Sequence, residues 1–166
     1  MYSLREATSL DDFDAFLALK SQKDAIKWSG FSTAPERESF RKYFIERILN
    51  DSSTHVFFLC DNCIEGCPVV AYRQYNQLSD DEVEVRGTTI KKSYQGTDAL
   101  GALNSLLDIH YKEKGFRKFT TWISEKNKAS EINAVNMGWI KTEIFETRNL
   151  PLLGGEHKFF KWVKEL

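Results

Sequence analysis

The chain has 166 residues, 42% of them hydrophobic and 28% charged, the size of one ordinary domain with room for a core. Its formal charge is −1, and the basic residues are scattered, so no stripe exists for a long polyanion such as DNA. No apolar run reaches the length of a membrane span and no signal-peptide core opens the chain; we expect a cytoplasmic protein bound to neither nucleic acid nor membrane.

Ser3 to Ala7 reads as a first strand, and Thr8 as the cap of a helix through about Lys20 with Phe13, Phe16 and Leu17 on one face. A polar connection is expected from Gln22 to Phe31. Thr33-x-x-Glu36, with Pro35 between them, has the spacing of a capping box and opens a helix to about Asn50. From His55 the period changes: His55 to Cys60 and Pro68 to Tyr75 read as the two strands of a hairpin. Between them lie Cys60, Cys63 and Cys67. That spacing is compatible with a metal cluster, but such sites need four ligands and the nearest further candidate is His55. We read the segment as a hairpin turn with small strand-end fillers, and expect no metal.

The richest stretch runs from Glu82 to Tyr111. A strand from Glu82 to Ile90 leads through the turn Tyr94-Gln95-Gly96-Thr97-Asp98 into a helix whose Leu100, Leu103, Leu106, Leu107 and Tyr111 share a face. A strand that feeds a helix N-terminus makes an anion site, because first-turn amides lack partners within the helix. Lys112 to Gly115 ends that helix. A strand from Phe116 to Ile123, a short helix from Asn127 to Met137, and strands from Trp139 to Thr147 and His157 to Lys164 complete the chain. Arg148 to Glu156 is expected as a loop. The order β α α β β β α β α β β implies an α/β (α+β) fold with a mixed sheet and helices on both faces.

This order, together with Gln95-Gly96-Thr97-Asp98-Ala99-Leu100 after the fourth strand and Asn127-Lys128-Ala129-Ser130 before Met137-Gly138-Trp139, resembles the GCN5-related N-acetyltransferase superfamily. Asn127-x-x-Ser130 is similar to its ribosomal-protein-type branch. Asp24 to Trp28 and His157 to Trp162 are similar to members that acetylate amino sugars on nucleotide carriers. The resemblance implies a mostly antiparallel seven-stranded sheet and acetyl-CoA as co-substrate. It also implies a small-molecule amine, plausibly an amino sugar, as acceptor, and a monomer or homodimer. The pyrophosphate would lie on Gln95, Gly96, Thr97, Asp98 and Ala99, with Asn127 a further contact. Two positions depart from the pattern: Asp98 and Leu100 replace small residues. A carboxylate beside pyrophosphate is repulsive; as a helix cap, Asp98 would still occupy amides that a phosphate needs.

Acetyl transfer to an amine requires a base for the amine, stabilisation of an oxyanion and an acid for the leaving thiolate. By the same resemblance, N–H groups at Thr88, Thr89 and Ile90 hold the pantetheine arm and polarise the thioester. Glu84 is our choice of base, with Glu82 on the same strand face as alternate and substrate contact. The tyrosine expected in the last helix is replaced by Ala134, leaving Ser130, Tyr94 or water as the acid. Trp28 and Phe31 are either acceptor-stacking aromatics or a hydrophobic anchor for their loop. His110 is read as a surface residue, and His157 as lining the acceptor cleft. Two rival readings remain: a non-catalytic protein of the same fold with a degenerate turn, and a protein N-terminal or lysine acetyltransferase.

Overall fold

Alternation along the second strand, β2 (Thr54–Asp61), sets the layering. Phe57 and Leu59 belong to one buried cluster, while Val56, Phe58 and Cys60 belong to another on the opposite face. Successive strand side chains point to opposite sides, so apolar residues at every position demand cover on both faces. The computed structural model describes every residue from Met1 to Leu166.

The other strands are β1 (Tyr2–Glu6), β3 (Val69–Gln77), β4 (Glu82–Ile90), β5 (Lys118–Ser124), β6 (Ile140–Leu150) and β7 (Gly155–Glu165). They form one sheet in the order β1-β2-β3-β4-β5-β7-β6, antiparallel except for β4 against β5. Helix α4 (Ala99–Glu113) covers one face, burying Leu103, Leu107 and Tyr111 on the side predicted from their spacing, with Ala99 beside them. Helices α1 (Phe13–Lys20) and α3 (Arg37–Phe44, prolonged by a π-turn to Leu49) cover the other. There Phe16 stacks on Phe40 at 5.4 Å and meets Tyr72 edge-on at 5.0 Å, with no exposed surface. Phe16→Ala is expected to cost about 3–5 kcal/mol, read as a lowered urea midpoint; a loss below about 1 kcal/mol would show that the cluster relaxes around the gap.

Four local expectations are corrected. Gln22 to Phe31 is not a loop: Lys23–Ser29 forms α2, ended by Gly30 in the left-handed conformation. Only Ile26 of this helix is buried, so no apolar stripe betrays it. Thr33 does not cap α3; Glu36 does, accepting from the amides of Glu38 (3.0 Å) and Ser39 (2.8 Å). At the first helix the cap is Ser9 rather than Thr8, in a box closed by Asp12 over a single 3-10 turn. Finally, the expected loop from Arg148 to Glu156 shrinks to Pro151–Gly154, because β6 and β7 pair as far as Leu150 and Gly155.

Helix α5 (Lys128–Asn136) is capped by Asn127, whose side chain accepts from the Ser130 amide. Cys60 is buried in β2 while Cys63 and Cys67 are exposed beyond it, and no three His, Cys, Asp or Glu side chains come together as a ligand group. No helix is long and apolar enough to cross a membrane.

Candidate active site

Parallel pairing of β4 with β5 ends at Val85 opposite Thr121, whose hydroxyl donates to the Val85 carbonyl at 3.2 Å. Beyond that point the two strands part. The gap opens into a cavity of about 730 Å³ walled by α2, α5 and the turn after β4. Lys91 N–H bonds the Val70 carbonyl at 2.7 Å. Antiparallel bonding alternates along a strand, so the peptide groups of Thr88 and Ile90 face the gap, whereas that of Thr89, expected to join them, is turned to Tyr72 on β3.

The turn after β4 closes one end. Gly96 has φ of +78°, and a Cβ built on it meets nothing within 4 Å, so the left-handed turn leaves open space above it. The amides of Gly96, Asp98, Leu100 and Gly101 have no protein partner, whereas the amide of Ala99 is taken by the Thr97 hydroxyl at 3.2 Å. Asp98 occupies the helix-cap position without capping. Its carboxylate accepts from the Tyr2 hydroxyl at 3.0 Å on the neighbouring β1. The expected competition between this carboxylate and a bound anion for the same amides is therefore absent. Leu100 lies in the cavity wall, and Ala99 is fully buried beneath it.

Helix α2 is latched across this end. Gln95 Nε2 donates to Asp24 (2.9 Å) and to the Ile90 carbonyl (3.3 Å). Gln22 donates to the same carbonyl (3.0 Å) and accepts from Lys92 N–H (2.9 Å). At its far end, Gly30 lies so close to β6 that a Cβ there would be 3.0 Å from the Asn149 carbonyl. Trp28 and Phe31 both reach the cavity, and Phe31 is 40% exposed, which does not suit a loop anchor.

Glu84 also lines the cavity, its carboxylate paired with Arg86 and its side chain only 12% exposed. Arg86 is the extra residue of a bulge, since Gln74 pairs with Gly87 and Tyr75 with Val85; such bulges re-aim side chains beside sites. Glu82 is elsewhere, 3.5 Å from Lys118 at the closed end of the strands. On α5, Asn127 accepts from the Ser130 amide at 3.2 Å, and the Ser130 hydroxyl, in the cavity wall, has no protein partner. Tyr94 presents its ring to the cavity, but its hydroxyl donates to Asp61 at 2.8 Å; that bond, more than partial burial, raises its pKa. Of the sequence-derived candidates, Asp98, Ala99 and Glu82 thus lie outside the cavity and the others line it.

His157 is not at the cavity either; its Nε2 meets the Leu153 carbonyl at 3.3 Å. His110 is no surface residue but packs edge-on against Phe57 at 4.8 Å, and burial, more than nearby Lys114, lowers its pKa.

Sequence reasoning overlooked Arg73 altogether. It is 6% exposed on β3, lines the cavity and donates from Nε to the Thr88 hydroxyl at 2.8 Å and from a terminal nitrogen to Asn104. No carboxylate pairs with it, and a buried cation with neutral partners only is costly. An arginine in the middle of a strand carries no local signal of this kind.

No protein-family model matches the sequence, and no curated protein does. Solved structures match it over its whole length. A protein provisionally assigned as a phosphinothricin N-acetyltransferase shares 17% identity over 100% of this chain and 99% of its own, with a TM-score of 0.79. Spermidine N-acetyltransferase from Vibrio cholerae, in complex with CoA and spermine, shares 12% identity over 99% and 95%, with a TM-score of 0.80. The ribosomal-protein-S18-alanine N-acetyltransferase of Escherichia coli shares 14% over 99% and 93%, with a TM-score of 0.72. The fold is that of the GCN5-related N-acetyltransferases, with its mixed and mostly antiparallel seven-stranded sheet.

Proposed function

We propose that this chain is an acyl-CoA-dependent N-acyltransferase, acting in the cytoplasm on a small primary amine. The observation that carries the reading is the continuity of one cavity. It runs from partnerless amides at a helix N-terminus, along the free edge of β4, to a carboxylate at Glu84. Unpaired first-turn amides favour phosphate, and exposed strand-edge groups suit the amide-bearing arm of coenzyme A.

Acetyl-CoA, when bound, supplies the acetyl group as an activated thioester. The amides of Gly96, Leu100 and Gly101 hold its pyrophosphate, with Gln95 and Thr97 beside them and Asn127 across the cavity. N–H groups of Thr88 and Ile90 align the arm and polarise the carbonyl oxygen. Glu84 accepts the amine proton, directly or through water, and Arg86 orients its carboxylate. Ser130, whose hydroxyl is free, is the proton donor on the α5 side, where Ala134 offers none. Trp28, in the cavity wall with the Lys27 ammonium over its ring at 5.0 Å, is an aromatic of the kind on which a sugar ring stacks, the feature that most favours an amino-sugar acceptor.

The reading predicts that acetyl-CoA at a hundredfold excess over its Kd raises the melting temperature by about 5–10 °C. No stabilisation by any acyl-CoA at millimolar concentration would sink it. The non-catalytic alternative rests on Asp98, Leu100 and Ala134, and Asp98→Gly separates the two. Because the carboxylate already lies against Tyr2, we expect stability to fall by roughly 1 kcal/mol while acetyl-CoA affinity barely moves. A rise of tenfold, about 1.4 kcal/mol, would favour the degenerate-turn reading instead.

A further inference from the structure

A second cavity of about 410 Å³ adjoins the first, sharing Lys20 and Arg86 with it. It lies on the face of the sheet covered by α1 and α3, beside Gln74 and Asn76 of β3. Asn76 pairs with Glu84, and Ile90 opens into the turn; the six residue steps from Glu84 to Ile90 span roughly 20 Å at strand rise. The recess is therefore remote from the amides at Gly96 and close to the proposed base.

Its wall is cationic. Lys20, Arg47 and Arg86 line it with one carboxylate, Asp51, and Arg86 is shared with Glu84, to which it is paired. The Asp51 carboxylate is already occupied: Ser53 donates to it from amide (2.9 Å) and hydroxyl (2.7 Å), and Thr54 from its hydroxyl (3.0 Å). These bonds, the Ser53 hydroxyl first, hold Asp51 below the usual carboxylate range. Neither Lys20 nor Arg47 has an ion-pair partner anywhere in the chain. Lys20 is held in place rather than free in solvent. Its ammonium lies over the Tyr72 ring at 5.4 Å and 3.4 Å from where a Gly87 Cβ would be. The main cavity adds Arg73 and Arg148, the latter paired with Glu146, against Asp24 and Glu84, so the cations of the two spaces without an ion-pair partner are Lys20, Arg47 and Arg73.

We infer that the acceptor is an amine bearing an anionic oxygen group, a carboxylate or a phosphate, which docks in the recess between Lys20, Arg47 and Arg86 while its amine reaches Glu84. The inference rests on the transferase reading above and narrows its substrate class. Like-charge repulsion excludes a polyamine from this wall, and a bidentate guanidinium with an ammonium suits either oxyanion.

The test uses the full chain with its coenzyme site saturated by CoA, so that phosphate cannot register there. Binding is followed by melting temperature for matched pairs: O-phosphoethanolamine against ethanolamine, glucosamine 6-phosphate against glucosamine, and β-alanine against its amide. Inorganic phosphate and spermidine are run beside them. At least one anionic member is expected to bind ten times more tightly than its neutral partner and than spermidine, and the better pair identifies phosphate or carboxylate as the group. Lys20→Met with Arg47→Gln should erase that preference tenfold or more. The double variant should fold, since Met keeps the stem against Phe16 and Tyr72, and Arg47 is exposed. Neutral amines or spermidine binding as tightly as the anions, no binding of any anion, or anion binding that survives the double variant would each overturn the inference. A missing acetyl-CoA response in the wild type defeats the transferase reading alone, because loss of anion binding in the Lys20→Met, Arg47→Gln variant places that binding in the recess whether or not CoA occupies its own site.

Discussion

Replacing Gly96 by tryptophan is expected to abolish the rise in melting temperature that acetyl-CoA produces, while leaving the protein folded. The residue has φ of +78° and open space above it, in the wall of the cavity beside the unpartnered amides. A side chain there pays left-handed strain of about 1–2 kcal/mol, small for a protein whose two clusters are built elsewhere. Its indole, however, stands where a phosphate must approach. Gly96→Ala separates the two effects, since it introduces the strain with little bulk; it should lower stability similarly and retain most of the acetyl-CoA response. If Gly96→Trp still shows the full response, the turn is not the phosphate site.

Glu84→Gln is expected to lower kcat by about 10²–10⁴-fold, with the acetyl-CoA response intact. The substitution keeps size and hydrogen bonding but removes the charge that accepts the amine proton. Arg86 then loses its partner, yet it is half-exposed and remains solvated, so the fold should tolerate the change. Turnover within threefold of wild type would remove Glu84 from the chemistry. Glu82 would not replace it, because that carboxylate sits beside Lys118 outside the cavity.

The layered fold was legible because its signals are local. Phe57 and Leu59 against Val56, Phe58 and Cys60 announce a strand covered on both sides, and Leu103, Leu107 and Tyr111 announce the helix that covers one of them. The turn at Gln95-Gly96 and the helix start at Asn127 were legible for the same reason. Helix α2 was not, since it buries Ile26 alone and is held by Gln22, Asp24 and Gln95 reaching β4 and its turn. Those bonds join residues about 70 positions apart, beyond any window of sequence periodicity.

Asp98 shows the division most clearly. Its residue type and position at the start of α4 are readable, and they suggest a carboxylate lying across phosphate-binding amides. Whether it does so is decided by Tyr2, 96 residues earlier, whose hydroxyl draws the carboxylate aside once β1 pairs with β2. Arg73 and the Lys20–Arg47–Arg86 recess belong to the same class, because their meaning lies in which carboxylates fail to arrive. By itself the sequence determined the elements, their order and the strand–turn–helix that can hold an anion, since backbone propensity and side-chain periodicity act over a few residues. Only the tertiary structure decided which charges are paired, and so which amides and cations remain free to bind, because pairing is settled between strands and helices distant in the chain.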